Sequence, residues 1–497
     1  MRLHDLDAPL LEGAAAKQTH TAMVARNFHR DRSVWLRPIV DDIGRPGYFL
    51  KEVPLVPAAA ALLYDLRGGV DERLGRLLSI VAWLLGVPLL TTLLRRSRAP
   101  GERLLASAWF LAAPLGVVYS RAFMSDAALV TASLGALLAL ARWREQPTAG
   151  RALLVGACTG LALALKPHAL LWLVPAGVVL LWPTRTRAAW RAPRALATLL
   201  ACLAAGLAPA ALWYVHAAAV HRAYPAAGAM VAEGWVAPHL LLEPRLYLEI
   251  ARQTIEMVFT PLGAAIAVLG LVLERRWSSV VERALLAWGG GVLVECLVFA
   301  TRMFDERARG TEYYQLALVP VAALLVARGV SALVRAVAPA SVGLRAGVSV
   351  ALLLALLGNS FVVARSALGA PPEYASLVER CETIRTLTSP RDDIFVLSDR
   401  GGTILYYCDR RGTVLTLGSA VDPALAGAGA RASTDELARA VASARYLYVP
   451  FPELLATESS FVEHLERDWR RVPGAGDLWL FERIDERPTR RAGRSAS

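Results

Sequence analysis

The sequence predicts a polytopic membrane protein, mostly α-helical, in which a transmembrane bundle is followed by a small external α/β domain. Three observations predict it. The 497 residues are 55% hydrophobic and 19% charged, against about 45–50% and about 25% in soluble domains. The mean hydropathy is +0.42. The apolar residues fall in blocks of roughly 17 to 24, the length that crosses a hydrocarbon core, separated by Arg-rich connections. Disorder, collagen and a disulfide scaffold are excluded. The formal charge of +12 sits largely in those connections, which suits membrane orientation and excludes nucleic acid as the partner.

Residues 1–50 contain no apolar run long enough to span and no signal-peptide pattern; residues 1–76 read as a first external loop with juxtamembrane helices. About ten spans follow within a domain of residues 77–366, near 77–94, 104–120, 127–141, 152–165, 168–182, 195–213, 257–273, 284–300, 313–334 and 346–364. Arg95, Arg96, Arg98 and Arg103, then Arg142, Arg144 and Arg151, then Arg185, Arg187, Arg191 and Arg194, then Arg275, Arg276 and Arg283, and finally Arg328, Arg335 and Arg345 fall on alternate connections. The positive-inside rule makes those connections cytoplasmic. The outer face then receives residues 1–76, the Arg121 to Asp126 corner, Lys166, the loop 214–256, the segment 301–312 and everything after about 366. An external start requires either that residues 1–76 are translocated as an unaided tail, awkward for a segment with several Arg, or that a further span lies upstream of this chain, which is the favoured expectation.

From residue 367 to 485 the pattern becomes soluble α/β. A helix over Tyr374–Leu387 leads to a strand at Ile394–Leu397, then Tyr406, Tyr407 and the turn Asp409-Arg410-Arg411-Gly412, and a strand at Val414–Leu417. A helix at Thr434–Ala444, a strand at Tyr446–Val449, a helix around Phe461–Trp469 and a strand at Leu478–Phe481 complete it; residues 486–497 read as a disordered basic tail. Cys158, Cys202 and Cys296 lie inside spans as apolar filler. Cys381 and Cys408 share the external domain, where a disulfide is permitted, but sequence does not give their separation.

Only Lys17, Lys51 and Lys166 among the 54 basic residues are lysines, and all three fall on the outer face. A compact ammonium suits a phosphate, whereas random survival or snorkelling is the plainer account. Asp126 stands where one span ends outside and the next begins, as helix cap, site residue or both. Glu295 lies in the outer half of an apolar span and requires an interior partner. Asp41, Asp42, Glu52, Asp305, Glu306 and Glu312 collect on the same face; most would be solvated, and one or two catalytic. Tyr313 and Tyr314, like Trp213, Tyr214, His216 and Trp235, suit either an interfacial belt or sugar contact. No His, Cys and carboxylate cluster has metal-ligand spacing.

Several segments in order resemble one family. They are Pro9-Leu10-Leu11-Glu12, Lys17-Gln18-Thr19-His20 with Ala25-Arg26-Asn27-Phe28, Pro38-Ile39-Val40-Asp41, Lys51-Glu52-Val53-Pro54-Leu55, Gly75-Arg76-Leu77-Leu78-Ser79, Tyr119-Ser120-Arg121 with Asp126, Lys166-Pro167, Tyr313-Tyr314-Gln315-Leu316 with Pro320, and Tyr406-Tyr407 with Arg410-Arg411-Gly412. Together they resemble the GT-C membrane glycosyltransferases, in particular the protein mannosyltransferases and the lipid A aminoarabinose transferase (glycosyltransferase family 39 and its relatives).

The resemblance implies an inner- or plasma-membrane enzyme that moves a sugar, usually with inversion, from a polyprenyl-phosphate donor to a glycan, lipid or protein acceptor on the outer side. Lys17, Lys51, Arg121, Lys166, Glu312, Tyr313 and Tyr314 would contact substrate. The family's usual base is an acid in the first external loop, and here no carboxylate lies between Glu12 and Arg30. Asp126, His20, Asp41 and Glu52 are the catalytic candidates. No cofactor is demanded, although a divalent cation bridging phosphate and acids fits the chemistry. The competing readings are a transporter or flippase of a lipid-linked sugar, and a catalytically impaired binding or assembly subunit.

Overall fold

A computed structural model describes residues 1–182, 192–225, 237–274, 277, 279–304, 311–338, 341–398, 401–415, 444–452 and 459–484. The chain divides into two compact units, one of Met1–Pro38 with Phe49–Ala370, the other of Ile39–Tyr48 with Pro371–Ser497.

In the first unit the described elements are helical. An amino-terminal helix α1 (Ala15–Arg30) and α2 (Leu55–Arg67) precede α3 (Glu72–Leu93), α4 (Pro100–Ala112), α5 (Pro114–Tyr119), α6 (Asp126–Glu145), α7 (Ala149–Leu165), α8 (Leu170–Leu181) and α9 (Pro193–Ala223). Then come α10 (Pro244–Gln253), α11 (Pro261–Leu273), α12 (Val280–Val298), α13 (Ala300–Phe304), a 3-10 turn Glu312–Leu318 running into α14 (Val319–Val337), and α15 (Val342–Ala367). Five stretches are long and apolar enough to cross a membrane: α3, α6, α9, Glu312–Val337 and α15; α10 with α11, bent by 95°, is a sixth if taken as one broken span. The other stretches read as spans are helical too, but short, proline-broken or charged: Pro114 interrupts one, and Pro167 separates α7 from α8.

Backbone chemistry accounts for the packing that sets the site. A Cβ on Gly160 would collide with the Gly206 carbonyl, and one on Gly206 with that of Gly156. Helices α7 and α9 therefore touch backbone to backbone, the small-residue crossing typical of helices in lipid. Leu200, Leu212 and Val215 on α9, and Val350, Leu354 and Val362 on α15, lie exposed; such contiguous apolar faces suit hydrocarbon rather than water. Not every Arg assigned to a cytoplasmic connection is solvated. Arg98 donates to both Glu282 oxygens, Nε to Oε1 at 2.7 Å and Nη2 to Oε2 at 2.6 Å, and Arg328 is buried between Glu282 and the Trp277 ring.

The second unit is built on a five-stranded sheet in the order β2-β1-β3-β5-β4, where β1 is Asp393–Leu397, β2 Arg411–Leu415, β3 Tyr446–Val449, β4 Trp469–Arg471 and β5 Trp479–Arg483. Strand β1 runs parallel to β2 and β3, whereas β5 is antiparallel to β3 and β4. Helices α16 (Leu377–Leu387), α17 (Gly401–Cys408) and α18 (Ser459–Asp468) flank it. Tyr406 and Tyr407, read as preceding a turn, lie on the helix α17, which the sequence pattern had not marked. Short β4 carries no sequence signal strong enough to read, and the helix expected at Thr434–Ala444 lies almost wholly outside the described residues. Cys381 and Cys408 form a disulfide that joins α16 to the end of α17. The segment 39–48, read as loop, folds back on itself through the Ile39–Tyr48 bridge and lies along β2 through the Ile43–Thr413 bridge, so that an edge strand is covered.

Candidate functional site

The site forms where helix ends meet. Pro167 cannot continue α7, so Lys166 is extended (φ −160°, ψ 124°) and its side chain leaves the helix axis. Asp126 is the first residue of α6, where the helix dipole favours a carboxylate; the N-cap itself is Ser125. Gln18 fixes α1 against the same corner. Its Nε2 donates to the carbonyls of Glu12 and Gly13, each at 2.9 Å, and its Oε1 accepts from the Phe123 amide at 3.0 Å.

These placements bring two of the three lysines onto one carboxylate. Lys166 Nζ donates to Asp126 Oδ1 at 2.6 Å, with the two side chains 5% and 6% exposed, and Lys17 Nζ stands 3.8 Å from Asp126 Oδ2. Both ammoniums also face the Tyr313 ring, at 4.0 Å for Lys17 and 5.1 Å for Lys166. Burial pushes the Lys17 ammonium down, but Asp126 and Glu52 outweigh it and hold its pKa above the ordinary value. Tyr313 stacks on Tyr314 at 4.4 Å, and Tyr314 on Phe299 at 4.9 Å. Glu312 accepts from the Tyr119 hydroxyl at 3.0 Å.

Glu52 is half-buried and accepts from Ser125 Oγ at 3.3 Å. A second buried pair lies beside the first: His168 Nδ1 is 2.5 Å from Glu295 Oε1, between the rings of Trp172 and Phe299. This is the interior partner that Glu295 required. His168 was not singled out in the sequence, although its place two residues after Lys166 was a signal.

The other sequence candidates go elsewhere. His20 and Lys51 gather around Phe49, at 5.1 Å between rings and 4.9 Å from Nζ. Arg121 is buried; its Nε is 3.4 Å from Glu12 Oε1 and its Nη2 donates to the Asp5 carbonyl at 3.0 Å, while Glu12 also holds Arg76 at 2.6 Å. Asp41 belongs to the second unit. Its carbonyl accepts from the Gly412 amide at 2.8 Å and its carboxylate lies 3.5 Å from Arg411 Nε. Tyr214 donates to the Leu163 carbonyl at 3.0 Å and His216 Nε2 lies 2.7 Å from the Leu36 carbonyl. Asp305, Glu306 and Trp235 lie outside the described residues. Among the described residues no three His, Cys, Asp or Glu side chains converge as metal ligands.

The fold, a helical bundle joined in sequence to an α/β unit, is shared with the solved structures named below, and the resemblance read in the sequence is upheld at that level. Residues 51–214 match the model of the dolichyl-phosphate-mannose-protein mannosyltransferase family. The structure is similar to that of ArnT from Cupriavidus metallidurans in the apo state, with a TM-score of 0.59 and 14% identity over 95% of this chain and 94% of that one. It is equally similar to the same protein bound to undecaprenyl phosphate, over 96% and 94%. Archaeal oligosaccharyltransferase AglB from Archaeoglobus fulgidus, in complex with an inhibitory peptide and a dolichol-phosphate, matches at a TM-score of 0.53 and 13% identity over 88% of this chain and 66% of that one. No curated protein sequence matches the chain.

Proposed function

We propose that this chain is an integral membrane glycosyltransferase that moves a sugar from a polyprenyl-phosphate carrier to an acceptor hydroxyl on the outer face. The observation that carries the reading is the convergence of Lys17 and Lys166 on buried Asp126, in a fold shared with proteins whose structures hold undecaprenyl phosphate or a dolichol-phosphate. Asp126 keeps two ammoniums close together at a place where their repulsion would otherwise part them. The donor phosphate docks against their free N–H groups, and its growing negative charge is stabilised as the sugar leaves. A lipid-linked donor reaches such a site sideways through the bilayer, which a site at the ends of spanning helices permits.

Among the carboxylates of the cluster, Asp126 is tied to Lys166, Glu295 to His168, and Glu312 to Tyr119. Glu52 accepts the longer bond from Ser125 and lies near the Lys17 ammonium without a short bond to it among the described residues, and it takes the acceptor proton. The acceptor oxygen bonds to the anomeric carbon from the face opposite the phosphate, the bond from that carbon to the phosphate oxygen breaks with its electron pair, and the configuration inverts. No cofactor enters the scheme, because the ammoniums meet the phosphate charge.

The test is transfer from radiolabelled polyprenyl-phosphate mannose and arabinose to the lipid, glycan and protein fractions of membranes that express the chain. Glu52→Gln should lower transfer by about 10²–10⁴-fold and still retain donor, whereas Lys166→Met should lose donor. A stable wild-type protein that binds donor and never transfers it would replace this reading with the binding or flippase one.

A further inference from the structure

We propose that the second unit carries a saccharide-binding pocket beyond the carboxyl end of β3, independent of the chemistry in the first unit. A cavity of about 380 Å³ opens there, lined by Ser376 and Arg380 near the start of α16, Tyr448 at the end of β3, Phe451 just after it, and Asp477 and Trp479 at the start of β5. The volume lies in the range of small-ligand sites, with room for about one or two sugar rings. Its place is the one that sheet topology favours. The chain passes from β1 outward to β2 and returns to β3 on the other flank of β1, and open α/β sheets bind ligands beyond the carboxyl ends of strands beside such a reversal.

The lining asks for a polyhydroxylated ring. Tyr448 is 1% exposed, and its hydroxyl lies against the Arg380 guanidinium without a hydrogen bond of good geometry. Such a loosely met hydroxyl in a pocket wall keeps capacity for a ligand's hydrogen bond. Arg380 reaches the Pro450 carbonyl with Nη1 at 3.4 Å and lies beside the Tyr448 hydroxyl, so its five-donor fork is only partly engaged among the described residues. Asp477 is exposed and offers a carboxylate that accepts from paired hydroxyls. Trp479 is a braced platform: the Arg471 guanidinium lies 4.7 Å from its ring centre and Phe481 meets it edge-on at 6.0 Å. Aromatic faces suit the C–H faces of sugars, and one Arg opposed by one Asp cancels the charge, which disfavours a phosphate.

The experiment uses full-length protein purified in detergent and saturation-transfer NMR with the methyl glycosides of mannose, galactose, glucose, arabinose and N-acetylglucosamine. At least one glycoside should receive saturation. Tyr448→Phe should weaken it about three- to tenfold, the loss of one hydrogen bond, with unchanged melting, and Trp479→Ala should abolish it. Lys166→Met, in the first unit, should leave it unchanged. Saturation of no glycoside would overturn the proposal, as would binding that survives both Tyr448→Phe and Arg380→Gln or that disappears with Lys166→Met.

Discussion

Replacing Asp126 by Asn should destabilise the protein by about 3–5 kcal/mol, and a second substitution should remove most of that loss. Asparagine keeps the shape of the side chain and deletes its charge. Lys166, 2.6 Å away and 5% exposed, and Lys17, at 3.8 Å, would then share a site with no carboxylate between them. Breaking a buried ion pair from one side leaves an uncompensated charge out of water, and the loss corresponds to roughly two to four decades in the folded ratio. Asp126→Asn combined with Lys166→Met removes both members of the short pair and leaves Lys17, which is partly exposed, to reach solvent. The double variant should recover most of the stability while still failing to retain donor. The assay is denaturant unfolding in detergent followed by tryptophan fluorescence, with the coupling taken from the cycle of single and double variants. A coupling of at least about 2 kcal/mol is expected. An Asp126→Asn protein as stable as wild type, or a cycle that closes at zero, would refute the buried pair as the organising feature of the site.

The raised Lys17 pKa fixes a pH response. A raised value keeps the ammonium's contribution whole below its ordinary 10.5 and loses it only as pH climbs past the higher folded value. The difference in polyprenyl-phosphate retention between wild type and Lys17→Met should therefore stay flat from about pH 6 to about pH 10, and a decline centred near neutrality would contradict the cluster. Gly160→Leu forces α7 away from α9 at the Gly206 carbonyl; loss of folded protein from the membrane, by more than Gly150→Leu on the open amino-terminal end of α7, is the expected result of expression blots. Cys381→Ser opens a cross-link whose ends are 27 residues apart, worth about 3–4 kcal/mol in loop entropy, so limited proteolysis should cut the second unit faster while the first unit keeps its pattern.

Features with a local signature were legible in the sequence. Apolar blocks showed the helices, alternation and turns showed strands at Ile394, Tyr446 and Leu478, and order along the chain showed the resemblance. Asp126 and Lys166 stood out because a charge at a span end needs a reason. What pairs with what was not legible. Glu295 plainly needed a partner, but nothing local connects it with His168, which another helix end supplies. Gln18 stood out only as part of the Lys17-Gln18-Thr19-His20 segment, and only the packed corner shows that it anchors the helix that carries Lys17. Arg121 was a substrate contact only as the resemblance implied it, whereas a carboxylate remote in sequence, Glu12, takes it. The Arg98, Glu282 and Arg328 network was hidden for the opposite reason: the positive-inside rule had already explained its cations.

The segment 39–48 has a consequence for biosynthesis. It leaves the ribosome early, but its bridge partner Thr413 follows about 370 residues later, roughly 20 to 70 seconds at ordinary elongation rates. Through that interval the second unit's edge cover exists without the sheet it covers. The Asp41 and Asp42 carbonyls that later accept from Gly412 and Val414 must wait in water, and the early membrane segments must already be threaded. A nascent chain stalled before residue 411 would hold a bundle with an unfinished loop, and a fragment beginning at residue 371 would hold a sheet with a bare edge. The second unit is thus assembled from the two ends of the message, its first stitch made long before its knot is tied.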